Sequence, residues 1–313
     1  RWTSRFASLT FNQFGREFPN GGMNEKGLVI EIMWLDESQY PAVDARPVVN
    51  ELQWIQWALD LHETVAEVAA AAPALRVSPI FAEVHYLVCD RTGACAAFEY
   101  LQGALVITSG QDLLTRTLTN DTYEESAAFL VEHEGFGGSA PVPEGTGSLE
   151  RFVRAATLAG ETQTQPVPDS AFSILDSVSQ GDWSVWQIVY RPDELRVYFR
   201  TNAVDTIKYI DLGSFELDCW APVMALDIDE PTGGDVTALM EEYTTDHNMR
   251  LIEQSYAPIA DQLPTGAMFL AVYYPEGHTC TLEPGPDPDP KGGDDAGGCG
   301  VATGTPRGRT GPV

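Results

Sequence analysis

The side chains whose type and setting could do chemistry are few. They are five cysteines (Cys89, Cys95, Cys219, Cys280, Cys299), five histidines (His62, His85, His133, His247, His278), Asn120 and Arg151. No Cys-x-x-Cys occurs and the histidines are scattered, so a zinc site is disfavoured and no cofactor is expected. Cys89 and Cys95 flank the turn Asp90-Arg91-Thr92-Gly93. They either face each other across a hairpin as a disulfide or remain unpaired small apolar residues, and Cys219 with Cys280 carries the same two readings. Cys299 is left alone near the C-terminus. Asn120 follows Leu118-Thr119 at the close of a short strand-like run. On those residues it is either a neutral amide donor or an ordinary turn or cap asparagine. Arg151 lies in Ser148-Leu149-Glu150-Arg151-Phe152-Val153-Arg154-Ala155-Ala156. A cation there could lower a thiol pKa or orient a carboxylate; alternatively it is a surface arginine paired with Glu150 or Glu124. Arg154, one turn on, reads as a structural charge.

The elements that must hold these groups follow from periodicity. Phe18-Pro19-Asn20-Gly21-Gly22-Met23-Asn24-Glu25-Lys26-Gly27-Leu28 reads as a tight glycine turn feeding a strand. In that strand Leu28, Ile30, Ile32 and Trp34 alternate with Val29, Glu31 and Met33. Trp34 at its end reads as a core aromatic. Phe6–Asn12 is an earlier strand. Leu52, Ile55 and Leu59 recur at helical spacing within 48–61, and Thr64-Val65-Ala66-Glu67 has the form of a capping box opening a second helix. Strand runs at Glu83–Cys89, Cys95–Leu101 and Ala104–Thr108 predict an antiparallel meander. Helices are expected after Asp121 through Leu130, from Ser148 to Ala156, from an Asp169 cap to Val178 and over Val236–Tyr243. A hairpin is expected over Trp183–Tyr190 and Leu195–Thr201, and Met268–Tyr274 is an apolar run without assignment. The pattern is that of an α+β domain over 1–282. From residue 283 onward the Pro/Gly/Asp-rich composition cannot bury enough apolar surface to order a chain, which predicts a flexible tail over 283–313.

Net charge −28 and pI ≈ 4.3 give a surface that repels phosphate backbones, so nucleic acid is not an expected partner. No apolar run reaches the length of a membrane span. Such acidity suits an exported or salt-exposed protein.

Gly22-Met23-Asn24-Glu25-Lys26-Gly27-Leu28 resembles the Gly-Met-Asn-Glu-x-Gly-Leu segment of the choloylglycine hydrolase family, and Leu118-Thr119-Asn120 and Ser148–Ala155 resemble further family segments. The resemblance runs from Arg1 to about Arg200. It implies an αββα sandwich of N-terminal-nucleophile type, lacking its first strands. It also implies cleavage of a linear amide in an N-acyl substrate: a conjugated bile salt, penicillin V or an N-acyl homoserine lactone. In that family a leading cysteine supplies thiolate and α-amine together. By the same resemblance Asn120 contributes its side chain to the oxyanion hole. Trp34 stands where relatives place an Asn or Tyr whose backbone N–H is the second donor, and Arg151 belongs to the polar network around the nucleophile.

The family's nucleophile, with an Arg and an Asp flanking it, lies upstream of the glycine stretch, and the chain starts at Arg1. An upstream piece is therefore expected, and this polypeptide by itself is expected to be inactive. Bacterial export and a homo-oligomer are further expectations of the resemblance. A different class of reading is a non-catalytic, surface-displayed binding module that keeps the scaffold. A cysteine encoded directly after a signal peptide upstream of Arg1 separates the two.

Overall fold

The computed structural model describes residues 2–80, 82–161, 166–262 and 266–280, and the backbone of 301–303. Up to residue 109 the chain folds into β1 (Ser8–Asn12), β2 (Pro19–Asn24), β3 (Val29–Trp34), α1 (Glu51–Leu61), α2 (Val65–Ala71), β4 (Val84–Cys89), β5 (Cys95–Leu101) and β6 (Ala104–Ser109), with shorter elements among them. After them come α3 (Tyr123–Leu130), α4 (Ser148–Gly160), α5 (Asp169–Ser177), β7 (Trp186–Arg191), β8 (Arg196–Thr201), β9 (Lys208–Asp211), α6 (Thr245–Tyr256) and α7 (Ala267–Tyr273). Strands β1 to β6 form one antiparallel sheet in sequence order, so α1 and α2 are an excursion between the neighbours β3 and β4. The second sheet runs β9-β8-β7, extended past β9 by a two-residue parallel pairing with Gly234–Asp235.

Side-chain alternation decides the layering. Leu28 and Ile30 point to one face of the first sheet, where Trp54, Ile55 and Leu59 of α1 and Val65 and Val68 of α2 join Tyr86, Val88 and Phe98 in the largest core. Asn50 starts α1 with a reciprocal capping box to Gln53. On the opposite face Leu9, Phe11 and Met23 meet Val197, Phe199 and Ile210 of the second sheet, while Ala97 packs with Leu130 of α3 and Phe152 and Val153 of α4. Helix α5 covers the far side of the second sheet through Phe172, Val189 and Tyr198. Helix, sheet, sheet, helix: the expected αββα layering is present. Among the described residues no helix is long and apolar enough to cross a membrane.

Local expectations fail in instructive places. Pro19–Asn24 is not a turn but the strand β2, and the turn is displaced to 24–27, where Gly27 has φ +83°. Gly21 and Gly22 serve packing instead of bending. A Cβ on Gly22 would lie 2.6 Å from the Leu9 carbonyl, and one on Gly21 would fall 2.4 Å from the Glu31 carboxyl group. Asn24, fully buried, spends its amide on four bonds. It donates to the Leu59 and His62 carbonyls at the end of α1, both at 2.8 Å, and accepts from the Leu28 and Lys26 N–H groups. The motif thereby fastens the β2–β3 turn to a helix terminus that would otherwise leave carbonyls unpaired. Residues 117–120 form no strand, and 236–243 holds only a 3₁₀ turn and a two-residue pairing in place of a helix, because Glu241–Glu242 pair with Met224–Ala225 and the preceding Gly234–Asp235 pair with Lys208–Tyr209. Pro168, not Asp169, occupies the cap of α5. The unassigned run 268–274 is largely α7.

Cys89 and Cys95 are joined. The neighbouring Asp90 N–H bonds the Ala94 carbonyl, which makes Cys89 and Cys95 a non-hydrogen-bonded pair, the closer spacing of an antiparallel ladder. Cys219 is also disulfide-bonded. The expected Cys219–Cys280 pairing involves a side chain outside the described ones, as do Cys299 and nearly all of the tail from 283. Of that tail only the backbone of Val301–Thr303 is described, paired with His278–Cys280.

A groove of about 2360 Å³ opens beside the inter-sheet core, lined by Phe11, Glu31, Met33, Asp60, Ile188 and Phe199 among others. Two carboxyl groups are walled into it. Glu31 uses the notch left by Gly21 and accepts a 2.5 Å bond from the Tyr190 hydroxyl; Asp60 accepts from Trp2 Nε1 at 2.6 Å and Gln56 Nε2 at 2.8 Å. Burial, opposed by these hydrogen bonds, pushes each up to about 7.

Two outcomes follow from this packing. Gly22→Ala should lower stability by about 1–3 kcal/mol, since its methyl meets backbone that cannot swing aside, and a urea melt would register it. Native Glu31 and Asp60 hold protons that the unfolded chain releases in the ordinary carboxylate range. Their contribution is complete below that range and lost as pH rises through about 7. Wild-type protein should therefore lose more stability than Glu31→Gln between acid and neutral pH, measured as the urea midpoint of each.

Candidate active site

The three residues singled out in the sequence come from three separate elements. Trp34 ends β3, Asn120 lies in the connection between β6 and α3, and Arg151 is in the first turn of α4. They meet. Asn120 Nδ2 donates to the Trp34 carbonyl at 2.9 Å, and Arg151 donates to Asn120 Oδ1 at 2.7 Å. Arginine can only donate and a main-chain carbonyl can only accept, so both neighbours dictate the same orientation of the carboxamide. Its NH₂ faces β3 and its oxygen faces α4. An amide nitrogen carries two N–H groups, so the bond to Trp34 leaves the second one available to a ligand.

The main chain of Trp34 turns the same way. In the β3–β4 ladder Trp34 stands opposite Val84, while the next pair is bonded through Leu35 N–H to the Glu83 carbonyl at 3.0 Å. Bonded and non-bonded pairs alternate, so Trp34 directs both its N–H and its C=O away from β4. That is the side on which Asn120 sits. Strand β2 reaches along β3 only as far as the Gly21–Glu31 pair, so it does not cover Trp34. The indole is half exposed, at 50%, and bonds Asp36 through Nε1, so Trp34 is not a core residue.

Arg151 is half-buried, and burial lowers its pKa from the ordinary value, opposed by the charge of Asp121 and reinforced by Arg154. Besides Asn120 it donates to the Thr146 carbonyl at 3.1 Å. The alternative partner Glu150 instead accepts the Gly147 N–H at the start of α4. Arg154 donates to the carbonyls of Ser177, Pro143 and Gly145, which ties α4 to the last residue of α5 and to the loop that precedes α4.

Ser148 escaped notice in the sequence beyond its place at the start of a helix. Its Oγ accepts the Asn120 N–H at 2.8 Å and donates to Thr119 Oγ1 at 3.1 Å, so α4 holds Asn120 by main chain and side chain at once. The only signal was the three-residue interval between Ser148 and Arg151, one helical turn. Among the described residues no group of three or more His, Cys, Asp or Glu side chains is placed to hold a metal ion. What the arrangement can do is present two neutral N–H donors, one main-chain and one carboxamide, to a single acceptor, beside a guanidinium.

No family model matches the sequence. The chain is similar to the penicillin V acylase of Pectobacterium atrosepticum, 27% identical over 171 residues that make up 50% of this chain and 45% of the relative. The match thus spans less than half the length of that relative. Among solved structures, a penicillin V acylase from Agrobacterium tumefaciens superposes with a TM-score of 0.67 at 24% identity, covering 78% of this chain and 83% of the other. A variant of the conjugated bile acid hydrolase from Clostridium perfringens superposes with a TM-score of 0.60 at 19% identity, covering 73% and 85%. These relatives are amide hydrolases. The chain is thus similar in sequence to a penicillin V acylase over half of its length, and it shares the αββα fold of both kinds of hydrolase.

Proposed function

We propose that this chain is the scaffold and oxyanion-binding half of an amidase that cleaves N-acyl linear amides of the penicillin V, conjugated bile salt or N-acyl homoserine lactone kind. The observation that carries the reading is the meeting of the Asn120 carboxamide, the Trp34 main chain and the Arg151 guanidinium at the end of β3. The attacking thiol and the amine that takes its proton belong to a cysteine encoded before Arg1. The described cysteine side chains are consistent with this, since Cys89, Cys95 and Cys219 are all in disulfides.

The chemistry assigns each group one task. The thiolate adds to the amide carbonyl, and the Asn120 Nδ2–H and Trp34 N–H receive the negative charge that develops on oxygen. Collapse expels the amine, which takes the proton held by the α-amino group, and leaves a thioester that water hydrolyses. Arg151 keeps the carboxamide from flipping and draws electron density toward Oδ1, which makes the opposite N–H groups better donors. Export into an oxidising compartment is part of the same proposal, supported by the Cys89–Cys95 bond.

The reading frame upstream of Arg1 should encode a signal peptide ending directly before a cysteine; a frame without that cysteine removes the enzyme reading. In the protein extended to that residue, Asn120→Ala should cost roughly 100-fold or more in kcat. The assay is turnover of penicillin V and of glycocholate, and unchanged turnover takes Asn120 out of the mechanism.

A further inference from the structure

Behind Asn120 lies a pair of ionisable side chains that no part of the chemistry above employs. His85 on β4 and Glu99 on β5 are 0% and 2% exposed, in the middle of the first sheet. His85 Nδ1 is 3.0 Å from Glu99 Oε1, and its Nε2 is 2.7 Å from the main-chain carbonyl of Thr119, the residue before Asn120. The same Glu99 oxygen accepts the Tyr123 N–H at 2.9 Å, in the first turn of α3. The two ends of the corner 119–123 are therefore both anchored to one carboxyl group, directly at Tyr123 and through the imidazole at Thr119.

The partners restrict the protons. A carbonyl only accepts, so Nε2 must carry a hydrogen. The remaining proton lies between Nδ1 and the carboxyl group, and wherever it sits the pair is neutral overall. An ionisable pair is costly to bury, and a bulkier apolar pair would fill the same space without that cost. What apolar side chains cannot do is donate to the Thr119 carbonyl and accept from Tyr123 at fixed separation. Ser148 restrains the corner from the opposite side by accepting the Asn120 N–H.

We propose that His85 and Glu99 are a buried positioning pair that sets the main chain at Thr119 and so aims the Asn120 carboxamide. Its catalytic consequence rests on the reading of Asn120 as an oxyanion donor; its structural content does not. An error of about 1 Å in a group that must meet a transition state costs roughly 100-fold, so the corner is where such rigidity counts.

The test separates the two readings. In the unmodified chain, ¹⁵N NMR of the histidine rings should show His85 Nε2 protonated and its hydrogen slow to exchange. An unprotonated Nε2 overturns the proposal, because nothing then donates to Thr119. His85→Leu should shift or broaden the Asn120 side-chain amide resonances, assigned with Asn120→Asp, while His85→Gln, which keeps a donor, moves them less. In the form carrying the nucleophile, His85→Leu should lose roughly 10- to 100-fold in kcat with KM little changed, and His85→Gln should recover most of it. A folded His85→Leu protein with unmoved Asn120 resonances sinks the positioning role. Moved resonances in a protein whose turnover ignores Asn120→Ala support positioning and sink the catalytic reading instead. Should His85→Leu not fold, the ring measurement on the unmodified chain still decides.

Discussion

The bond from Arg151 to Asn120 Oδ1 is the tie on which the far end of the molecule depends. It joins a helix to a connection that has no regular structure of its own, and the same carboxamide passes the link on to the last residue of β3. A side-chain amide has one oxygen and one nitrogen, so a donor on one side and an acceptor on the other leave it a single orientation. Because the guanidinium is half-buried, it holds its contacts in a medium where they are stronger than in water. Helix α4 could not bring Arg151 there without Phe152 and Val153, which seat it against Ala97 and Leu118. Packing sets the helix, and the helix sets the charge.

A second constraint works at the opposite end of the strand. Asn24 closes the β2–β3 turn onto the carbonyls that end α1, and Arg91 reaches from the β4–β5 turn to the Pro192 carbonyl in the β7–β8 turn at 3.0 Å. These contacts lock helix to sheet and sheet to sheet at one edge. The groove lined by Glu31 and Asp60 opens beside the inter-sheet core. Both acids are kept from ionising at the usual pH by the apolar surroundings that give the sandwich its stability. The glycine opposite Glu31 is as much a part of that arrangement as the tyrosine that donates to it.

What could be read from the chain alone followed from local physics. Alternation identified β1 and β3 to β6, and the helical stripe with its caps identified α1 to α4. Flanking a four-residue turn made Cys89 and Cys95 candidates for each other. What misled was composition without context. Gly21 and Gly22 look like a bend and are instead a strand pressed between two neighbours, because a glycine lacking a side chain serves close approach as readily as a turn. Trp34 looks like core and is half exposed, because hydrophobicity alone does not say where a strand ends relative to the layer above it.

The candidate site divides along the same line. Residue types and their family resemblance named Trp34, Asn120 and Arg151 from the sequence by itself, and local periodicity placed Trp34 on a strand and Arg151 on a helix. That the three converge, that the Trp34 main chain faces Asn120 and not β4, and that Ser148, His85 and Glu99 hold the intervening corner were decided only by the tertiary structure. The physical reason is distance along the chain. Asn120 and Trp34 are 86 residues apart and are brought together by strand register and helix docking, which are settled by the burial of whole faces and leave no trace in the neighbours of either residue.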